Sequence, residues 1–213
     1  MKDFSVPMAL ADYVPVALFA IAAVILIRDL YNKMSKGAFA LFAAGTIDVV
    51  CAGFLKATYK LLYALGVCDF EALSHVFFPM QSLGFLLAGI GMLALMTHAQ
   101  KKKGAFAAAA PAAYSGTFVF VTLMVLGLEL MDVGLCVLSF KLKKKWLCAL
   151  FVVSFVFALM MGYLSSKDFT EAYMNWIAEF INIIGQGTLL AGVIMLHKNG
   201  LSELVLREGE ENV

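Results

Sequence analysis

Apolar runs long enough to span a bilayer follow one another along most of this chain. They cover residues 14–30, 38–63, 75–97, 104–140, 146–164 and 176–196. A membrane-spanning helix needs about 20 mostly apolar residues. Composition agrees, because 62% of the 213 residues are hydrophobic and 15% are charged, whereas soluble domains average about 45–50% and 25%. The sequence therefore predicts an all-α integral membrane protein, a polytopic helical bundle surrounded by membrane lipids.

Several function classes find no support in the sequence. The net charge of +1 offers no basic surface for nucleic acid. The four cysteines lie far apart without a C-x-x-C pair, which indicates neither a zinc site nor a disulfide framework. The histidines fall at the margins of the runs, and neither G-x-S-x-G nor H-E-x-x-H occurs. An enzyme is therefore the weaker hypothesis, and we expect no metal and no cofactor.

The longest apolar tract, Gly104–Phe140, decides how many helices cross the membrane. At 1.5 Å per residue it is much longer than one crossing needs and short for two. The basic loops before and after it, Lys101–Lys103 and Lys141–Lys145, should both be cytoplasmic by the positive-inside rule. The tract must then cross an even number of times.

A break at Pro111 would divide this tract into a short fourth helix over 104–114 and a fifth helix over Thr117–Phe140. The prediction is therefore seven transmembrane helices, with the N-terminus outside and the C-terminus cytoplasmic. One long kinked helix, giving six spans, is the alternative.

An internal repeat favours seven helices. The third run contains G-F-L-L-A-G-I at Gly84–Ile90 and the last contains G-T-L-L-A-G-V at Gly187–Val193, each preceded by an acidic loop. Transporter folds often contain such repeats. The predicted organisation is a single transmembrane domain in a 3+1+3 arrangement. Its parts are a first pseudo-repeat over about 13–100, a linking segment over 104–116, a second pseudo-repeat over 117–198 and a short cytoplasmic tail over 199–213.

The last apolar run has a polar stripe that the equivalent run of the first unit does not have. Asn175, Glu179, Asn182 and Gln186 are spaced by four, three and four residues, which places them within a sector of about 60° on a helix. A carboxylate near the middle of a spanning helix costs about 2.5–3.5 kcal/mol on insertion scales. The stripe should therefore face protein or water, where it either lines a solute site or forms hydrogen bonds between helices.

Other charged residues lie inside predicted spans. Asp48 and Lys56 share the second helix, and Lys56 could face Glu179 across the bundle or instead extend towards the membrane surface along its alkyl stem. Glu129 and Asp132 lie in the fifth helix, either on an inward face or at an outer turn. With the polar stripe, these four residues complete the predicted substrate-binding set.

These features lead to two functional hypotheses. The first is a transporter or solute-binding membrane protein for a small polar or charged molecule, with proton coupling through Glu179 as an option. The second is a sensor, or a subunit that binds a partner protein, with no transport activity. A homo-oligomer or a partner subunit is compatible with either hypothesis.

Overall fold

A computed structural model describes residues 5–97, 117–165 and 172–206, and these residues are almost entirely helical. The α-helices are α1 (Val6–Ala11), α2 (Tyr13–Leu30), α3 (Lys36–Ala64), α4 (Ala72–His75), α5 (Phe77–Thr97), α6 (Thr117–Lys141), α7 (Cys148–Ser165) and α8 (Ala172–Lys198). Within the described ranges, six helical segments are long and apolar enough to cross a membrane, with α1–α2 and α4–α5 each forming one segment. The all-helical prediction is confirmed, and these segments are consistent with an integral membrane protein.

The long helices form a closed ring in chain order. α2 packs on α3, α3 on α5, α5 on α6, α6 on α7 and α7 on α8, and α8 returns to α2. Large apolar side chains on the outside of the ring are exposed, including Val24, Phe54, Val156 and Phe180. An apolar exterior of this kind suits a lipid environment rather than water.

The direction of each helix divides the ring into two units of three. In α5 and α6, Phe85 contacts Gly127 and Met92 contacts Gly134, so residue numbers rise together and the two helices run parallel. The other neighbours within each unit are antiparallel. The last residue of α5 and the first of α6 therefore lie at opposite ends of the bundle.

The contact between α8 and α2, which closes the ring, is also parallel. Asp12 lies beside Glu179 at one end, and Asp29 contacts His197 at the other. We call these the Asp12 end and the His197 end of the bundle. Each three-helix unit thus meets the other through a pair of parallel helices.

Close packing of α3 against α5 depends on glycine. A Cβ added to Gly84 would lie 2.8 Å from the carbonyl oxygen of Gly45, and one added to Gly91 would lie 2.8 Å from that of Ala38. Gly187, which occupies the position of Gly84 in the repeated motif, has nothing within 4 Å of an added Cβ. The first glycine of the motif therefore allows close helix contact in the first unit only, whereas Gly192 in the second copy lies against the Phe151 ring of α7.

The apolar core fills the His197 half of the ring. Fully buried side chains there include Phe42, Met92, Leu135, Phe151 and Leu196. The C-terminal segment covers this half. α8 ends at Lys198. Two residues later Gly200 has a left-handed φ of 89°, and Leu201, which follows it, is fully buried.

Two polar contacts fasten the C-terminal segment to the first unit. His197 Nδ1 lies 2.8 Å from Oδ2 of Asp29, and Lys33 Nζ donates hydrogen bonds of 2.9 Å to the carbonyl oxygens of Ser202 and Leu204. The end of α2 and the segment that follows α8 are thereby joined at the His197 end. From the sequence, His197 could be placed only at the margin of the last apolar run.

The predicted fourth helix over 104–114 lies outside the described residues. α6 begins at Thr117, where the predicted fifth helix begins, and ends one residue after it.

Candidate functional site

A cavity of about 350 Å³ occupies the Asp12 half of the bundle. Its walls come from the start of α2, the second half of α3, the first half of α5, one residue of α7 and the first half of α8. The charged and amide side chains that line it are Asp12, Lys56, Lys60, Gln81, Asn175, Glu179, Asn182 and Gln186. Phe19, Phe77, Phe78 and Phe85 supply much of the remaining wall. Small-molecule sites typically combine an apolar lining with a few polar groups in this way, at volumes of about 300–1,000 Å³.

The acidic side of the cavity contains two neighbouring carboxyl groups. Asp12 joins α1 to α2, and its side chain does not cap α2, so the carboxyl group is available to the cavity. It forms an ion pair with Lys60 of α3 and lies within hydrogen-bonding reach of Glu179. Two carboxyl groups can form a hydrogen bond only when one of them carries a proton. This corner can therefore hold a proton at the boundary between α2 and α8.

Lys56 supplies the basic side of the cavity. Its Nζ lies 3.9 Å from the centroid of the Phe77 ring and 6.0 Å from that of Phe78, within the range of a cation–π interaction. Among the described residues, no carboxylate oxygen lies within the 4.0 Å of an ion pair with Lys56. The charges of Asp12 and Glu179 still act on it across the cavity. Lys56 therefore presents an ammonium group held by aromatic rings and available to an anion.

Several buried oxygens at this cavity lack a hydrogen-bond donor. Within the described ranges, Oε1 of Gln81, Oε1 of Glu179 and Oε1 of Gln186 are buried and have no hydrogen-bond partner. A buried polar group without a partner costs about 1–3 kcal/mol. These three oxygens therefore belong to side chains that line the cavity, and they are not used in hydrogen bonds between helices.

A smaller, largely apolar cavity of about 90 Å³ adjoins the first. We call it the annex. Lys56, Gln81, Asn182 and Gln186 line both spaces. The walls that belong to the annex alone come mainly from α6 and α7, and its apolar members include Met124, Val125, Leu128, Phe157, Ala158 and Ile181.

Five of the eight predicted site residues line the large cavity. They are Asn175, Glu179, Asn182 and Gln186 of the polar stripe, and Lys56. Lys56 and Glu179 share this space from opposite helices without forming an ion pair.

The other three predicted site residues line neither the large cavity nor the annex. Asp48 is half-buried where α3 crosses α5, with its Cβ beside Gly84. Glu129 is half-buried on α6. Asp132 is 3% exposed, and its carboxyl lies within reach of Ser154 on α7, although neither of its oxygens makes a well-aligned hydrogen bond.

Sequence reasoning did not identify Asp12, Lys60 and Gln81 as site residues. Asp12 precedes the first apolar run and resembles an ordinary flanking charge. Lys60 comes one helical turn after Lys56, and this spacing was the available signal that two ammonium groups share a face. Gln81 is a single amide in an apolar helix, with no pattern to distinguish it.

The sulfur chemistry differs from expectation. Cys136 of α6 and Cys148 of α7 are paired as a disulfide near the His197 end, whereas Cys51 and Cys68 are free. The sequence indicated no disulfide. The two cysteines are 12 residues apart in the sequence, and they meet because the end of α6 lies beside the start of α7. In the part of the chain that the structure describes, no group of three or more His, Cys, Asp or Glu residues is arranged to hold a metal ion.

Comparison with protein-family models, curated proteins and solved structures finds no match for this chain. A functional assignment must therefore rest on the chemistry of the cavity.

Proposed function

We propose that this protein binds a small polar or charged solute in the large cavity and carries it across the membrane. The observation that supports this most directly is Glu179. This residue is 7% exposed and belongs to a helix long and apolar enough to cross a membrane. One oxygen of its carboxyl group lines the cavity without a hydrogen-bond partner among the described residues. Ionisable groups inside membrane bundles are costly and typically mark solute or proton pathways.

Proton coupling is part of the proposal. The neighbouring carboxyl groups of Asp12 and Glu179 can share a proton. When that proton leaves, the carboxylates can interact with a solute cation or with Lys60 instead. Because these groups belong to α2 and α8, a change in their protonation would alter the contact that closes the ring. Solute binding and movement of the two units would then be linked.

We also propose the 3+1+3 topology with seven crossings. Two observations support it: the parallel pairing of α5 with α6, and that of α8 with α2. A seventh crossing is proposed because Thr97, the last residue of α5, and Thr117, the first of α6, lie at opposite ends of the bundle. The described basic residues outside the cavity gather at the His197 end, including Arg28, Lys33 and Lys141, which supports a cytoplasmic location for that end.

The test combines binding with transport. Purified protein in detergent would be heated with a panel of amino acids, carboxylates, amines and sugars. Any solute that raises the unfolding midpoint would then be followed into proteoliposomes, with and without a pH gradient. We expect at least one solute to stabilise the protein and to accumulate faster when the gradient favours proton entry.

Glu179→Gln is the matched probe, and Glu203→Gln is its control, because Glu203 is exposed on the turn after α8. The Glu179 variant should lose the stabilisation and the pH-driven uptake, while the control should keep both. Equal behaviour of the two variants would count against the site. Binding without uptake would favour a sensor over a transporter.

A further inference from the structure

We infer that the solute is an apolar zwitterion, a molecule that carries a carboxylate and an ammonium group on a compact hydrocarbon body, as neutral hydrophobic amino acids do. This inference rests on the proposed function and names the substrate class of the same cavity. Three features of the cavity support it, one for each part of the molecule.

The first feature is the unpaired cation. Lys56 Nζ is held over the Phe77 ring and has no carboxylate partner within ion-pairing distance among the described residues, whereas Lys60 is paired with Asp12. An ammonium group inside a bundle binds an anion strongly, because little water competes with the interaction. A single carboxylate on the solute would satisfy Lys56.

The second feature is the set of acceptors. Oε1 of Gln81, Oε1 of Glu179 and Oε1 of Gln186 are buried oxygens without donors, and all three side chains line the cavity. An ammonium group offers three N–H donors and no acceptor. A solute ammonium therefore matches both the number and the polarity of these groups, and the Glu179 carboxylate would complement its charge.

The third feature is the annex. It opens beside Lys56, Gln81 and Gln186, the groups assigned to the charged part of the solute, and continues between α6 and α7 as a largely apolar space of about 90 Å³. A branched hydrocarbon side chain would fill it, since burial of apolar surface is favourable at about 25 cal/mol per Å². A sugar or a dicarboxylate would place polar groups against the apolar side chains of α6 and α7, where Ser154 is the polar residue that lines the annex alone.

Four probes separate the three features. L-Leucine has all of them, 4-methylpentanoate is leucine without the ammonium, 3-methylbutylamine is leucine without the carboxylate, and glycine is the zwitterion without the hydrocarbon body. Affinities would be measured by isothermal titration with the purified full-length protein. Leucine should bind most tightly, and each of the other probes about tenfold or more weaker, because each leaves a buried group without its partner.

Variants assign each feature to its residue. Lys56→Met should reduce the preference of leucine over 3-methylbutylamine, and Glu179→Gln the preference over 4-methylpentanoate. Ala158→Leu, which fills the annex, should weaken leucine while leaving glycine unchanged. Glu203→Gln should match the unmodified protein in all four titrations.

Equal affinity for leucine and for either single-charge analogue would overturn the inference, as would unchanged preferences in the Lys56 and Glu179 variants. Binding of a different solute from the wider panel, in a manner that depends on Glu179, would overturn the zwitterion assignment and leave the proposed function standing. Failure of every solute to bind would reject both.

Discussion

Alanine should be tolerated less well at Gly84 than at Gly187, the equivalent first glycine in the second copy of the repeated motif. Gly84→Ala would place a methyl group 2.8 Å from the carbonyl oxygen of Gly45, 2.9 Å from Cγ2 of Val49 and 3.0 Å from Cβ of Asp48. The backbone oxygen cannot move without displacing α3 or α5. Gly187→Ala would meet nothing within 4 Å.

The expected difference follows from two contributions. Replacing glycine by alanine inside a helix favours the helix by about 0.8–1.0 kcal/mol, and this gain is common to both positions. Overpacking adds a cost of about 1–3 kcal/mol at Gly84 only. Gly84→Ala should therefore be about 1–3 kcal/mol less stable than Gly187→Ala, which should itself equal or exceed the unmodified protein in stability.

Thermal unfolding in detergent, followed by the loss of the monodisperse peak in size-exclusion chromatography, measures this difference. For a chain of this size, 1 kcal/mol corresponds to about 2–4 °C in the unfolding midpoint. The variants should therefore differ by about 2–12 °C. Equal midpoints, or a less stable Gly187 variant, would refute the close approach of α3 and α5.

Three further outcomes are expected from side chains outside the cavity. Asp132→Leu should raise the unfolding midpoint without changing solute affinity. Both oxygens of Asp132 are buried without a well-aligned hydrogen bond, and unsatisfied buried groups cost about 1–3 kcal/mol. A lower midpoint would reveal a partner for this carboxyl. His197→Ala should destabilise the protein by about 1–2 kcal/mol, since it removes the hydrogen bond of the buried Asp29, and unchanged stability in the same assay would contradict that contact. Maleimide labelling of denatured, mildly oxidised protein should modify two of the four cysteines before reduction and all four afterwards, because Cys136 and Cys148 are paired. Four reactive thiols before reduction would exclude the pairing.

The polar stripe of the last helix could be predicted from the sequence, whereas the full set of residues that line the cavity could not. Helical periodicity alone placed Glu179, Asn182 and Gln186 on one face, and the insertion cost of a carboxylate predicted that the face turns inward. The same reasoning grouped Asp48, Glu129 and Asp132 with them, although none of the three lines the cavity. Periodicity fixes the direction of a side chain relative to its own helix. Which helix becomes its neighbour, and how the helix is rotated about its own axis, depend on packing.

The sequence by itself predicted a helical protein whose helices are long and apolar enough to cross a membrane, because apolar runs of bilayer length leave the backbone no other way to satisfy its hydrogen bonds in lipid. It also determined where most of the long helices lie. Only the tertiary structure decided that α8 closes against α2, that Asp12 and Lys60 join the polar stripe, and that an apolar annex adjoins Lys56. These features depend on contacts between residues far apart in the sequence, up to 168 positions for His197 with Asp29, and no local pattern records which helices become neighbours.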